Sequence, residues 1–191
     1  MKLTKEFYLQ PDVIQLARQL VGKVLITRFN GIKTSGIITE TEGYNGVIDR
    51  ASHAYNERRT ACNEHMYSVG GTSYVYICYG IHHLFNVVTN KESVPHAILI
   101  RAIKPLEGIN HMLNRRNKID ADKNLCGGPG TVSSALGINK NHSGINLTGN
   151  TIWIEDRNII VDDKDIKVGS RIGVESAGDD ALIPYRFVYN S

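Results

Sequence analysis

Cysteine is sparse in this chain: Cys62, Cys78 and Cys126 are the whole complement of 191 residues. They stand far apart, no Cys-x-x-Cys pair occurs, and three cannot all pair within one chain. A disulfide or cysteine-metal framework therefore finds no support, and a reduced, cytoplasmic protein is expected. Long apolar runs are missing too. No stretch of about eighteen apolar residues occurs, which excludes a transmembrane helix. Met1-Lys2-Leu3-Thr4-Lys5-Glu6 leads into a polar segment without an apolar signal core, so export is not expected. No His-Glu-x-x-His or Cys/His spacing offers a metal site, although His53, His65, His82 and His83 are present. Neither a P-loop ending nor a dinucleotide G-x-G-x-x-G appears. Charge of one sign is weak: the formal net charge is +3.

That small charge is unevenly spread. Residues 1–100 carry +2, residues 101–140 carry +4 and residues 141–191 carry −3. The basic middle, with Arg115, Arg116, Lys118 and Lys123, could meet phosphates. A solvated basic face explains it as well, and charge alone favours the plainer reading. The hydrophobic fraction of 41% suits one sizeable core, and the length suits one domain spanning 1–191.

Residues 10–21 read as a helix, with Pro11 and Asp12 in its first turn and Val13, Ala17 and Leu20 on one stripe. Lys23–Phe29 and Ile32–Thr41 read as strands joined at Asn30-Gly31, a strong two-residue hairpin signal, with Gly36 marking a bulge. Residues 43–72 have no long period and are polar, the kind of long connection that is functional or disordered. Tyr74–Tyr79 and His83–Val88 form a second expected hairpin, bending near Tyr79 and Gly80. A strand over Ala97–Ala102 follows, then a helix opened by Pro105 with Leu106, Ile109 and Leu113 on its stripe. Gly127-Gly-Pro-Gly130 precedes a short helix capped by Gly137. Short strands are expected at 151–155, 158–162, 170–174 and 184–189. The class is α+β, with helices on a mainly antiparallel sheet.

Six of nine tyrosines (44, 55, 67, 74, 76 and 79) fall within residues 44–79. Such clustering suits stacking of a flat base, and equally a tyrosine-rich sheet face. Glu40 and Glu42 share a face if their strand persists, and a carboxylate at a strand end can project into a cleft or sit on a solvated rim. No second acid stands at a spacing that signals a paired-carboxylate sugar hydrolase. His53 reads as a hydrogen-bonding residue in a polar loop. The Gly127–Gly130 turn could hold a phosphate on backbone N–H groups, or simply start a helix.

Taken in order, the motifs resemble the alkyladenine (3-methyladenine) DNA glycosylase family. They are Ile38-Thr-Glu-Thr-Glu-Gly-Tyr44, Ala51-Ser-His53, Thr60 and Asn63-x-x-Met66. Tyr74-Val-Tyr-Ile-x-Tyr-Gly80 follows with Asn86, then Leu99-Ile-Arg-Ala102 and Pro105-Leu-Glu-Gly108. Leu125-Cys-x-Gly-Pro-Gly130, Ala135-Leu-Gly-Ile138 and Arg171-Ile-Gly-Val174 complete the set. The match runs from about residue 9 to 189 and is specific only as an ordered whole. It implies a curved, partly open barrel-like sheet with helices packed around it, a protruding β-hairpin that wedges into DNA, and no cofactor. The partner implied is double-stranded DNA carrying alkylated or deaminated purines, and a monomer suits an enzyme that scans it.

The resemblance also implies roles. Glu42 matches the general base that activates water, Arg101 helps to position that water and the backbone, and the carbonyl of Ile172 is a further water ligand. Tyr44, His53, Met66 and Tyr76 match the base pocket. Asn86 matches the residue that hinders unmodified guanine, and Tyr79 matches the wedge. A single acid suffices for a cationic N-alkylpurine, which leaves without prior protonation. No lysine adjoins the tyrosines, so hydrolysis without strand cleavage is expected. Two positions depart from the family pattern: Cys62 replaces a basic residue, and His82-His83 replaces a more apolar or aromatic pair. Two competing functions remain on the residues alone, a non-catalytic nucleic-acid-binding module and a hydrolase of free nucleosides. Glu42 speaks against the first; the basic segment and the exposed wedge speak against the second.

Overall fold

A computed structural model describes residues 1–189; the last two residues of the expected 1–191 domain lie outside the described residues. Chain order runs α1 (Lys5–Tyr8), α2 (Val13–Leu20), β1 (Val24–Phe29), β2 (Ile32–Tyr44), β3 (Ser73–Cys78), β4 (His82–Thr89) and β5 (His96–Glu107). It continues with α3 (Ile109–Arg116), α4 (Pro129–Leu136), β6 (Ile152–Glu155), β7 (Ile166–Gly169) and β8 (Arg186–Tyr189). All eight strands join one antiparallel sheet in the order β3-β4-β5-β2-β1-β6, with β8 bridging β2 and β7. The fold is α+β.

Local rules explain much of this. Asp12 is the N-cap of α2, its carboxylate accepting from the N–H groups of Ile14 and Gln15, rather than part of the first turn. Val13, Leu16, Ala17 and Leu20 form the buried stripe of α2. Asn30 (φ 51°) and Gly31 (φ 80°) both take positive φ, as a two-residue type I′ turn requires, and Phe29 faces Ile32 across it. The register of β2 against β5 shifts at Ser35/Gly36, so the bulge is there. A side chain at Gly36 would collide with Ile103 and the Lys104 carbonyl.

Three expectations are corrected. Pro105 does not open a helix: β5 runs through it to Glu107, and α3 begins only at Ile109. Beyond Leu99, β5 pairs with β2 alone, so Pro105 sits on an edge where no ladder N–H is needed. Gly108 (φ 73°) then breaks the strand, and Leu106 stays off the helical stripe. No strand forms at 158–162. None forms at 170–174 either, because Arg171 turns into a buried ion pair and the N–H of Ile172 leaves the ladder for a side chain; β7 lies just before, at Ile166–Gly169. The 43–72 connection is ordered through three single turns of 3₁₀ helix at 46–48, 55–57 and 64–67. Among the described residues no helix is long and apolar enough to cross a membrane.

Candidate active site

Register builds the site. Tyr74 on β3 faces Asn86 on β4, Asn86 faces Leu99 on β5, and Leu99 faces Glu42 on β2. Directly opposed residues share a sheet face, so four strands deliver these side chains as one rung. Tyr76 and Tyr44 stand two residues along on the same faces of β3 and β2. The ordered 43–72 connection lays His53 and Met66 over this face. A cleft of about 470 Å³ results.

The expected site residues come together. Tyr44, His53, Met66, Tyr76, Tyr79, Asn86, Arg101 and Ile172 all line this one cleft. Glu42 has no solvent-exposed surface and lies behind the wall made by Tyr44, Arg101 and Ile172. Its Oε2 accepts from the Tyr44 hydroxyl at 2.9 Å, and its Oε1 accepts from the Ile172 N–H at 2.8 Å. The Arg101 Nε lies 3.4 Å from Glu42 Oε1 and 2.9 Å from Glu40 Oε1. Arg186 also donates to Glu40. Burial raises the Glu42 carboxyl above its ordinary range, opposed by Arg101 and by the Ile172 and Tyr44 donors. Burial thus favours the protonated carboxyl, while the three donors favour the ionised one. Ile172 meets Glu42 through its N–H, a contact that the expectation for its carbonyl did not include.

The base-sized part of the cleft is aromatic. Tyr74 and Tyr76 stack at 5.6 Å, and the His53 ring stands edge-on to Tyr76 at 4.6 Å. His53 Nδ1 bonds the Tyr74 hydroxyl at 2.8 Å, and burial lowers the pKa of the imidazole, keeping it neutral. Met66 is 2% exposed and packs with Tyr67, Tyr74 and Val88. The Asn86 amide donates to the carbonyls of Tyr74 and Leu84, which holds its side chain in one place.

At the hairpin tip Tyr79 is 89% exposed with φ 50°, followed by Gly80 at φ 74°. A bulky side chain in left-handed backbone is uncommon and strained. Neither packing nor turn propensity accounts for tyrosine there.

These features suit an enzyme that works on a base, and the whole chain agrees: the methylpurine-DNA glycosylase family model matches residues 6–191. The chain belongs to the methylpurine-DNA glycosylase family. Its relatives include proteins provisionally named 3-methyladenine DNA glycosylase. One, from Chlamydia felis (strain Fe/C-56), is 44% identical over 189 residues, covering 98% of this chain and 96% of its own. Others are from Clostridium perfringens (strain 13 / Type A), 40% identical over 98% of this chain and 95% of its own, and Bacillus cereus (strain AH820), 40% identical over 99% and 96%.

Several residues of this glycosylase that shape the site received no role from sequence reasoning. Tyr74 stands in a motif and in the tyrosine cluster, with nothing to mark it as the partner of His53. Asp49 and Arg171 form a buried ion pair behind Tyr44, and nothing in their local sequence links them. Asn63 ties the loop together, its amide donating to the His53 and Arg58 carbonyls while its oxygen accepts from the Thr60 N–H and hydroxyl. The Gly127–Gly130 turn is a helix start: the Gly128 N–H, which a phosphate would need, bonds Thr131 Oγ1 at 2.9 Å. Among the described residues no three His, Cys, Asp or Glu side chains gather as a metal site.

Proposed function

We propose that this DNA glycosylase flips an alkylated or deaminated purine out of duplex DNA and hydrolyses its N-glycosidic bond with water activated by Glu42. The observation that carries this reading is the buried Glu42 carboxylate, held by Tyr44 and Ile172 beside Arg101, at the wall of an aromatic cleft sized for a base.

The flipped base stacks between the rings of Tyr44, His53 and Tyr76, in contact with Met66. Rings attract a cationic or electron-poor alkylpurine more than a normal base. Stacking supplies about 1–3 kcal/mol per base, so hydrogen bonds and exclusion by Asn86 complete the selectivity. Glu42 takes a proton from water as its oxygen attacks the sugar C1′, and the electron pair of the glycosidic bond leaves with the purine. For a cationic N-alkylpurine the departing base is then neutral and no general acid is needed. Arg101 and the Ile172 carbonyl orient the water. Tyr79 occupies the vacated stack and prolongs the flipped state.

No lysine lines the cleft among the described residues. This supports a monofunctional enzyme that leaves an abasic site without strand cleavage, since no amine is placed to form a Schiff base. The enzyme acts as one domain of 1–191, as a monomer, in the cytoplasm. A stacking module without catalysis gains nothing from a buried carboxylate, which disfavours that alternative. The test is release of free base from alkylated duplex DNA compared with a free alkylated nucleoside. Release from the duplex alone is expected. Release from the nucleoside alone would point to a nucleoside hydrolase, and tight binding without release to a binding module.

A further inference from the structure

Pro129 lines the aromatic cleft, and Gly130, the next residue, lines a second cleft of about 480 Å³. Its walls are His82 and His83 from the start of β4, Arg115 and Arg116 from the end of α3, and the first and last turns of α4. The walls are fitted closely. The His82 ring lies on Gly130, where a Cβ would come within 3.0 Å of its Cγ and Nδ1. The Arg115 guanidinium lies on Gly137, where a Cβ would stand 3.0 Å from its Cζ. Arg115 is further fixed by donating to the Ala135 carbonyl at 2.9 Å and to Thr34 Oγ1 at 3.2 Å.

This cluster has cations and donors but no anion. No aspartate or glutamate lines the cleft, and neither arginine belongs to an ion pair among the described residues. The Arg116 Nε and His83 Nδ1 are both buried without a hydrogen-bond partner. Buried polar groups in native proteins are normally satisfied, and these two unpartnered atoms belong to side chains that line the cleft. Planar guanidinium groups match phosphate oxygens. The cleft opens beside Ile81, which is 73% exposed and neighbours the Tyr79 tip.

We propose that this cleft binds a backbone phosphate of the DNA duplex, flanking the point where the hairpin meets it. The inference rests on the DNA reading above and adds a phosphate subsite to it. Within this chain it also gives a role to His82-His83, the pair that departs from the family pattern. Lys118, by contrast, is engaged with Asp122 and does not enter the cleft.

The test is binding of undamaged duplex DNA, followed by fluorescence anisotropy across about 50–200 mM salt. The proteins are wild type, Arg116→Gln, His82→Glu, and Lys167→Gln as a control that removes the same charge from an exposed strand position. Arg116→Gln and His82→Glu should each bind about tenfold more weakly. The slope of log affinity against log salt should fall by about one for Arg116→Gln. Lys167→Gln should match wild type. His82 is exposed, so His82→Glu keeps the test open should Arg116→Gln melt early. Wild-type slopes in both cleft variants would overturn the proposal, as would an equal loss in Lys167→Gln, which would mark a diffuse field rather than a site. Failure of wild type itself to bind duplex DNA would instead bring down the functional reading on which the proposal stands.

Discussion

Arg171 and Asp49, 122 residues apart, meet in a buried two-pronged ion pair, Nη1–Oδ2 at 2.5 Å and Nη2–Oδ1 at 2.9 Å. The same guanidinium donates to the Gly43 carbonyl and lies 4.9 Å from the Tyr44 ring. Its chain neighbour Ile172 gives its N–H to Glu42. One pair thereby fixes both uncharged donors on Glu42, the Tyr44 hydroxyl and the Ile172 amide. Removing one partner of a buried pair strands the other charge. Asp49→Ala should therefore destabilise the fold by about 3–5 kcal/mol, read from urea unfolding. A loss below about 1 kcal/mol would show that Arg171 finds other compensation.

Glu42→Gln keeps the shape and an acceptor for Tyr44 but removes the charge and the proton acceptor. Single-turnover excision should slow by about 10²–10⁴-fold, the usual loss for a general base, while lesion DNA still binds. Near-normal excision by Glu42→Gln would exclude Glu42 as the base.

Glu42 also predicts two pH effects. Burial raises its pKa in the folded state. A general base acts in its ionised form, so on the proposed mechanism the rate should rise with pH through a value above the ordinary carboxylate range. A raised folded-state pKa means stability present at low pH and lost as pH rises through that value. Glu42→Gln should accordingly melt no lower than wild type at neutral pH, with any advantage vanishing on acidification. Melting curves across pH check the sign, and a Glu42→Gln protein that melts lower at neutral pH contradicts it.

Tyr79 holds left-handed backbone at the exposed tip. Tyr79→Gly should relieve about 1 kcal/mol of strain and raise the melting temperature. Excision from a matched duplex should nevertheless slow, and less so when the target base is mispaired and cheaper to flip. A 2-aminopurine beside the lesion reports the unstacking. Equal unstacking and excision by both proteins, on paired and mispaired targets, would remove the wedge.

Elements governed by neighbouring residues were legible in the chain. The Asn30-Gly31 and Tyr79-Gly80 bends, the buried stripe of α2 and the Gly137 cap of α4 depend on φ preferences and a helical period within a few residues. The ordered motifs also named Glu42, Tyr44, His53, Tyr76 and Arg101 as one site; the structure brings the last four to one cleft and Glu42 directly behind its wall. Pro105 misled because its helix-start preference is local, while the free edge of β5 that tolerates it is set by where β4 stops pairing. The strand expected at 170–174 failed for a similar reason: a distant carboxylate, Glu42, takes the Ile172 N–H that a ladder would use.

By itself, then, the sequence determined the turns, the amphipathic faces, and the family to which the ordered motifs belong. Tertiary structure alone decided that Tyr74, Asn86, Leu99 and Glu42 form one rung, that Asp49 neutralises Arg171, and that His82, Arg115 and Arg116 line one cleft. Register and ion pairing between segments depend on which surfaces can be buried together, and no periodicity along a single segment encodes that choice.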